Sequence, residues 1–246
     1  MLFNEFGNKE NPPVLLLHGM MQDWHSEYEL LKPLEKYYRL IIPAQDGFYD
    51  GSTEFTSFAD QARQIEEYID KNYDGKLHGA YGASQGGLML TELLTRNKVN
   101  LGTVIMDGCY VAHQGKVAGK ISAWMFKKFK NTGKFPPLIM VTMKLMGLKA
   151  ENLSMMDSLY MKASDESVDR NFIENYTYHT NPEIAKNETM VYMWCGSKEP
   201  YAIKSHKILK NYLINYEEEI MRGLGHGEFL MKHQDECCEK IHSILK

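Results

Sequence analysis

The run Gly82-Ala83-Ser84-Gln85-Gly86 sets a serine between two glycines, after a short apolar stretch and before a helical pattern. That spacing suits a hydroxyl nucleophile on a sharp strand-to-helix bend, where the two elements nearly touch and only small residues fit at −2 and +2. A bare glycine-rich turn is the alternative, and Gly87 with the amphipathic stretch beyond it favours the bend. A serine nucleophile needs a base, an acid that orients the base, and donors for the oxyanion. Nine histidines compete to be the base. His226, in RGLGHGEFL, lies in a glycine-flanked loop after the last strand pattern, from which a ring reaches across strand ends. His78 falls in the strand pattern before the serine and reads as a core residue. His206, His233 and His242 fall in helical patterns and read as solvated, and His113 and His179 border or lie in a segment that could line a pocket.

For the acid, MWCGSKEPY ends a strand pattern and puts Glu199 in a turn before a helix. A carboxylate there accepts the second ring N–H of the histidine, fixing its tautomer and stabilising the imidazolium. Asp107, which ends TVIMDG, is the alternative acid because it too closes a strand. In LLLHGMMQDW the chain turns after Gly19, so the backbone N–H groups of Met20 and Gln85 are the natural oxyanion donors. Each such donor contributes ~3–4 kcal/mol in the transition state. His18 reads as a residue that holds this loop.

These residues are positioned by short β-rich runs alternating with helical patterns, the signature of a mostly parallel sheet with crossover helices. Strands are expected at LFNEF (an edge), PVLLLHG, YRLIIPA, KLHGAYG, LGTVIMDG, TMVYMWCG and EEEIMRG. Helices are expected at SEYELLKPLEKYY, SFADQARQIEEYIDKNY, QGGLMLTELLTR and AIKSHKILKNYL, with a final one from about Glu228. Alternation stops between Gln114 and Asn187, where helical patches and a Pro136–Pro137 break replace it. The reading is a core domain of residues 1–113 and 188–246 with a helical insertion at 114–187.

The chain of 246 residues is long enough for one α/β domain with an insertion, and its net charge of −4 argues against general affinity for nucleic acid. No apolar run approaches the roughly 18–20 residues that span a bilayer, and the first residues lack the pattern of a signal peptide. Cys109, Cys195, Cys237 and Cys238 match neither a zinc site nor a disulfide framework, and are expected as reduced thiols of a cytoplasmic protein. Nothing in the sequence specifies an oligomeric state.

With HGM after an early strand, GASQG, the acid turn GSKEP and the histidine loop GLGHGEF, the chain resembles the α/β-hydrolase superfamily. The order serine, acid, histidine is that family's order. The resemblance implies Ser84 as nucleophile, Glu199 as acid, His226 as base and Met20 and Gln85 as oxyanion donors. It also implies a helical cap for the insertion, after the sixth strand position of the family sheet. Three features depart from the pattern. The acid is Glu where Asp is commoner. PAQDGFYDGS matches the P-D-x-x-G-x-G-x-S loop imperfectly. Too few residues precede PVLLLHG for two strands, so the sheet is trimmed at that edge.

A serine nucleophile excludes the Asp-dependent dehalogenases and epoxide hydrolases and the Cys-dependent dienelactone-hydrolase-like members. It points to acyl transfer to water. The expectation is a serine hydrolase, carboxylesterase-like, cleaving a small to medium, partly apolar ester, thioester or lactone through an acyl-enzyme, with no metal or organic cofactor. A triad-based lyase or C–C hydrolase, or a slow-turnover small-molecule sensor on the same fold, are the alternatives. From Gln114 to Ala150 the insertion carries eight lysines and no acid, with Trp124, Met125, Phe126, Phe129, Phe135, Met140, Met143 and Met146. ISAWMFKKFK reads as a basic amphipathic helix. Its apolar face packs on the core, lines a pocket, or leaves the basic face to attract an anionic ligand or interface.

Overall fold

A computed structural model of the chain describes residues 1–20, 22–132 and 161–246. Seven strands form one sheet: β1 (Leu2–Phe6), β2 (Pro13–Leu17), β3 (Arg39–Ala44), β4 (Gly79–Ala83), β5 (Thr103–Asp107), β6 (Val191–Gly196) and β7 (Tyr216–Met221). Their spatial order is β1-β3-β2-β4-β5-β6-β7. All neighbours are parallel except β1, which runs antiparallel to β3 at the trimmed edge. The insertion therefore follows the fifth strand present in this chain. It follows the sixth position of the family sheet only when the missing edge strand is counted.

Helices α1 (Trp24–Leu31), α2 (Phe58–Tyr73), α3 (Gln85–Arg96), α4 (Lys116–Thr132), α5 (Asp165–Thr177), α6 (Pro200–Leu209), α7 (Glu228–Lys232) and α8 (Gln234–Leu245) cross between or flank the strands. The stretch read as one helix at SEYELLKPLEKYY is α1 followed by a 3-10 turn, Lys32–Lys36, because Pro33 cannot continue an α-helix. The single final helix expected from Glu228 is two, divided at His233, whose backbone leaves the helical region. Helix starts are set locally. Asp23 accepts from the amides of His25 and Ser26 to begin α1, and the Ser57 hydroxyl accepts from the Asp60 amide to begin α2.

Strand periodicity sorts the core onto both faces of the sheet. Leu15, Leu17 and Ile41 pack with α2 and α3 on one face, while Val14, Leu16, Leu40 and Ile42 pack with α1 and α8 on the other. This double burial is why the central strands read as continuous apolar runs. β7, at the far edge, is largely exposed.

Of the insertion, α4 and α5 pack together through Ala123, Phe126, Val168 and Phe172, with the Ser122 hydroxyl donating to Tyr176 Oη at 2.9 Å. Lys127 and Lys130 of α4 pair with Asp169 and Asp165 of α5 at 2.6 and 2.7 Å, so acids of α5 offset part of the lysine excess. α4 also turns apolar residues outward: Val117, Ile121 and Trp124, at helical spacing, are exposed and do not pack on the core. The Pro136–Pro137 break, Phe135, Met140, Met143 and Met146 lie outside the described residues. No described helix is long and apolar enough to cross a membrane.

Candidate active site

Ser84 sits where β4 ends and α3 begins, with φ 53° and ψ −111°. A non-glycine residue in that region stores roughly 1–3 kcal/mol of strain and persists only when its surroundings hold it there. Two close approaches do so. A Cβ on Gly82 would stand 2.5 Å from the Gly86 carbonyl carbon, and one on Gly86 would run into the Leu17 carbonyl of β2. A third hold comes from β5, whose Asp107 carbonyl accepts from the Ser84 amide at 2.7 Å. The glycine spacing is therefore the spacing of two backbones in contact.

His226 lies in the turn between β7 and α7, and the Glu228 carboxylate steadies that turn by accepting from the Gly225 amide at 2.7 Å. The ring's Nε2 is 2.9 Å from Ser84 Oγ and its Nδ1 is 2.6 Å from Glu199 Oε2. Glu199 is buried in the turn after β6, with Pro200 opening α6. Its Oε1 accepts from the Gly196 amide and its Oε2 also accepts from the Tyr110 hydroxyl at 3.3 Å. Tyr110 stacks on the His226 ring with centroids 4.8 Å apart. Burial opposes charge on His226, but the adjoining carboxylate outweighs it, and the ring's pKa stands above its ordinary value.

Asp107, the alternative acid, lies elsewhere: its Oδ2 accepts from the Tyr81 hydroxyl at 3.0 Å. Burial, then repulsion from Glu199, pushes its pKa up to about 7 against that hydrogen bond and His226. Behind it, on the α1 side, Glu27 is fully buried, and neither of its carboxyl oxygens has a hydrogen-bond partner. Burial first, and then the charge of Asp107, raises the Glu27 pKa to about 8.

Met20 and Gln85 both line a small cleft over Ser84, with Leu88, Tyr110, Gln114, Asn175 and Tyr176. His18 is buried beneath that loop, its Nδ1 3.0 Å from the Gly19 carbonyl. The remaining histidines lie apart from Ser84. His78 is half-buried, with Nε2 against the Leu245 carbonyl. His113 and His179 stack on each other with centroids 4.4 Å apart, and His242 stacks on Tyr37 at 3.7 Å. His206 is not solvated but fully buried, with Nδ1 3.1 Å from Glu218 Oε1 and 3.8 Å from Cys195 Sγ. Residues that sequence reasoning passed over also converge here: Tyr110, Gln45 and Asn175. Only Tyr110 had a local signal, an aromatic just past a strand's carboxyl end. No group of three or more His, Cys, Asp or Glu among the described residues has the geometry of a metal site.

Comparison with solved structures finds the same fold elsewhere. An alpha/beta hydrolase family protein from Desulfitobacterium hafniense superposes with a TM-score of 0.84 at 21% identity, over 100% of both chains. A structure from a study of carboxylesterases of Nitrososphaera gargenis gives 0.77 at 16% identity over 99% of this chain and 94% of that one. The enol-lactonase from Burkholderia xenovorans LB400 gives 0.75 at 14%, over 99% and 95%. No curated protein matches the chain. Residues 12–201 match the family of the alpha/beta hydrolase fold, a span that runs from β2 through the serine bend to the Glu199 turn. By that match and by its sheet, the chain belongs to the alpha/beta hydrolase fold family.

Proposed function

We propose that the protein is a serine hydrolase that cleaves a small to medium, partly apolar carboxylic ester, thioester or lactone through an acyl-enzyme. The observation that carries this reading is the hydrogen-bonded line from Ser84 Oγ through His226 to Glu199, 2.9 and 2.6 Å long. In it, His226 takes the Ser84 proton as the oxygen attacks the carbonyl carbon, and Glu199 stabilises the imidazolium that forms. The amides of Met20 and Gln85 receive the oxyanion. His226 then returns its proton to the leaving oxygen or sulfur and activates water for deacylation. Esterase and lactonase structures among the similar folds agree with this reaction class. Residues 114–187 serve as the cap over a core of residues 1–113 and 188–246, and the seat of Asn175 and Tyr176 in the cleft supports that division.

The test is intact mass after exposure to a serine-reactive phosphonate, followed by turnover of chromogenic esters. One adduct on Ser84, and a loss of activity of at least about 10³-fold in Ser84→Ala, are expected. Full turnover by folded Ser84→Ala sinks the assignment.

A further inference from the structure

The side chain of Gln85 is clamped from both sides. Its Oε1 accepts from Asn175 Nδ2 at 2.8 Å, and its Nε2 donates to Gln45 Oε1 at 2.8 Å. Gln45 follows β3 and is buried, and its own amide nitrogen has no hydrogen-bond partner. Asn175 belongs to α5, and its Nδ2 also donates to the Asn171 carbonyl at 2.9 Å, so both its protons are used. A chain of three amides thus runs from the insertion, past the nucleophile, to the end of β3.

Gln85 is the first residue of α3, directly after the strained serine. The direction of its backbone N–H is set by rotation of the peptide joining it to Ser84, and a side chain held at both ends limits that rotation. A buried polar network of this kind fixes geometry only while every link is made. We infer that Asn175 and Gln45 are positioning residues that aim the Gln85 amide at the oxyanion, so that the insertion governs the chemical step as well as covering the cleft. This rests on the reading of Ser84 as nucleophile and the Gln85 amide as oxyanion donor. Asn175 lines the cleft, but both its Nδ2 protons are taken up by Gln85 and the Asn171 carbonyl, so the role assigned to it and to Gln45 is exerted through Gln85. Their loss should appear in the rate of chemistry and not in binding, because an oxyanion donor is tested only in the transition state.

The experiment compares the full-length protein with Asn175→Ala, Gln45→Met and the double variant on p-nitrophenyl acetate. Each kcat is referred to active sites counted by phosphonate titration run to completion. Asn175 is half-buried on a helix, where alanine is well tolerated, so that variant decides the question even where Gln45→Met fails to fold. The expected result is a fall in kcat of about tenfold in each single variant with KM within about twofold, the scale of a slightly misplaced group. The double variant should be no worse than the more damaged single one, because both substitutions cut one chain. A titratable Asn175→Ala protein with wild-type kcat, a loss in KM alone, or losses that multiply in the double variant would overturn the inference while leaving the hydrolase reading intact. A wild-type protein that neither labels at Ser84 nor turns over overturns both.

Discussion

At the scale of single residues, the His226–Glu199 contact governs how the proposed chemistry responds to pH. The base works neutral, so activity rises with pH through the folded-state pKa of His226, which the carboxylate holds above the ordinary value of about 6.5. Glu199→Gln removes the larger part of the attraction and leaves burial, which lowers the pKa, opposed only by the weaker pull of Asp107. The acid limb of kcat/KM should then move to lower pH while kcat falls on the order of 10²–10⁴-fold. Asp107→Asn should move the limb less, since Asp107 acts on the ring only through space. A pH–rate profile of the two variants distinguishes them, and a larger displacement in Asp107→Asn would reverse the assignment of the acid. That Ser84, His226 and Glu199 come together was legible in the sequence because each stands at a punctuation mark: a glycine-flanked bend, a glycine loop and a turn before proline. Asn175 and Gln45 were not. Neither sits in a local motif, and the Asn175–Gln85 bond spans 90 positions.

Among elements, the bend between β4 and α3 is held by its neighbours as well as by its own glycines. Gly86 lies against the Leu17 carbonyl of β2, where neither side is a flexible side chain able to yield. Gly86→Ala should therefore destabilise the protein by about 3 kcal/mol or more, at the upper end of overpacking effects, because relief requires a backbone to shift. Urea denaturation measures it, and a loss under ~1 kcal/mol would show that the bend relaxes without the contact. The strands and most helices were legible because doubly buried parallel strands are short apolar runs and the helices between them carry a 3.6-residue stripe. His206 escaped the same reasoning. Its helical position reads as surface, yet α6, the crossover from β6 to β7, folds back so that His206 lies against Cys195 and Glu218, 11 and 12 positions away, a contact decided by which face of the helix packs on the two strands it joins.

Across the whole molecule, one side of the sheet carries ionisable groups in its core. Glu27 of α1 faces Asp107 of β5, Tyr81 of β4 and Cys237 of α8 in one buried cluster. The folded protein keeps the Glu27 proton up to about pH 8, while the unfolded chain releases it near pH 4.3. Between those values the unfolded state binds fewer protons, so stability falls as pH rises, with a slope of at most ~1.4 kcal/mol per pH unit from this group. Glu27→Gln removes that slope. Its melting temperature relative to wild type should climb from pH 5 to pH 8, and thermal denaturation at the two values checks it; a constant difference would mean that Glu27 is ionised in the fold. No sequence pattern announces such a residue, since a glutamate on an amphipathic helix ordinarily points to water.

The bend at Ser84 has a consequence in time. Its geometry depends on Leu17 of β2 and Asp107 of β5, and the histidine that hydrogen-bonds Ser84, His226, arrives from 142 residues downstream. Contacts of such separation close late, after the entropy of long loops has been spent. A partly folded chain with β2 to β5 paired would hold the serine on its bend but lack His226 beside it. The reactivity proposed for Ser84 therefore belongs to the completed fold, and its recovery during refolding would time the docking of the last strand and its loop.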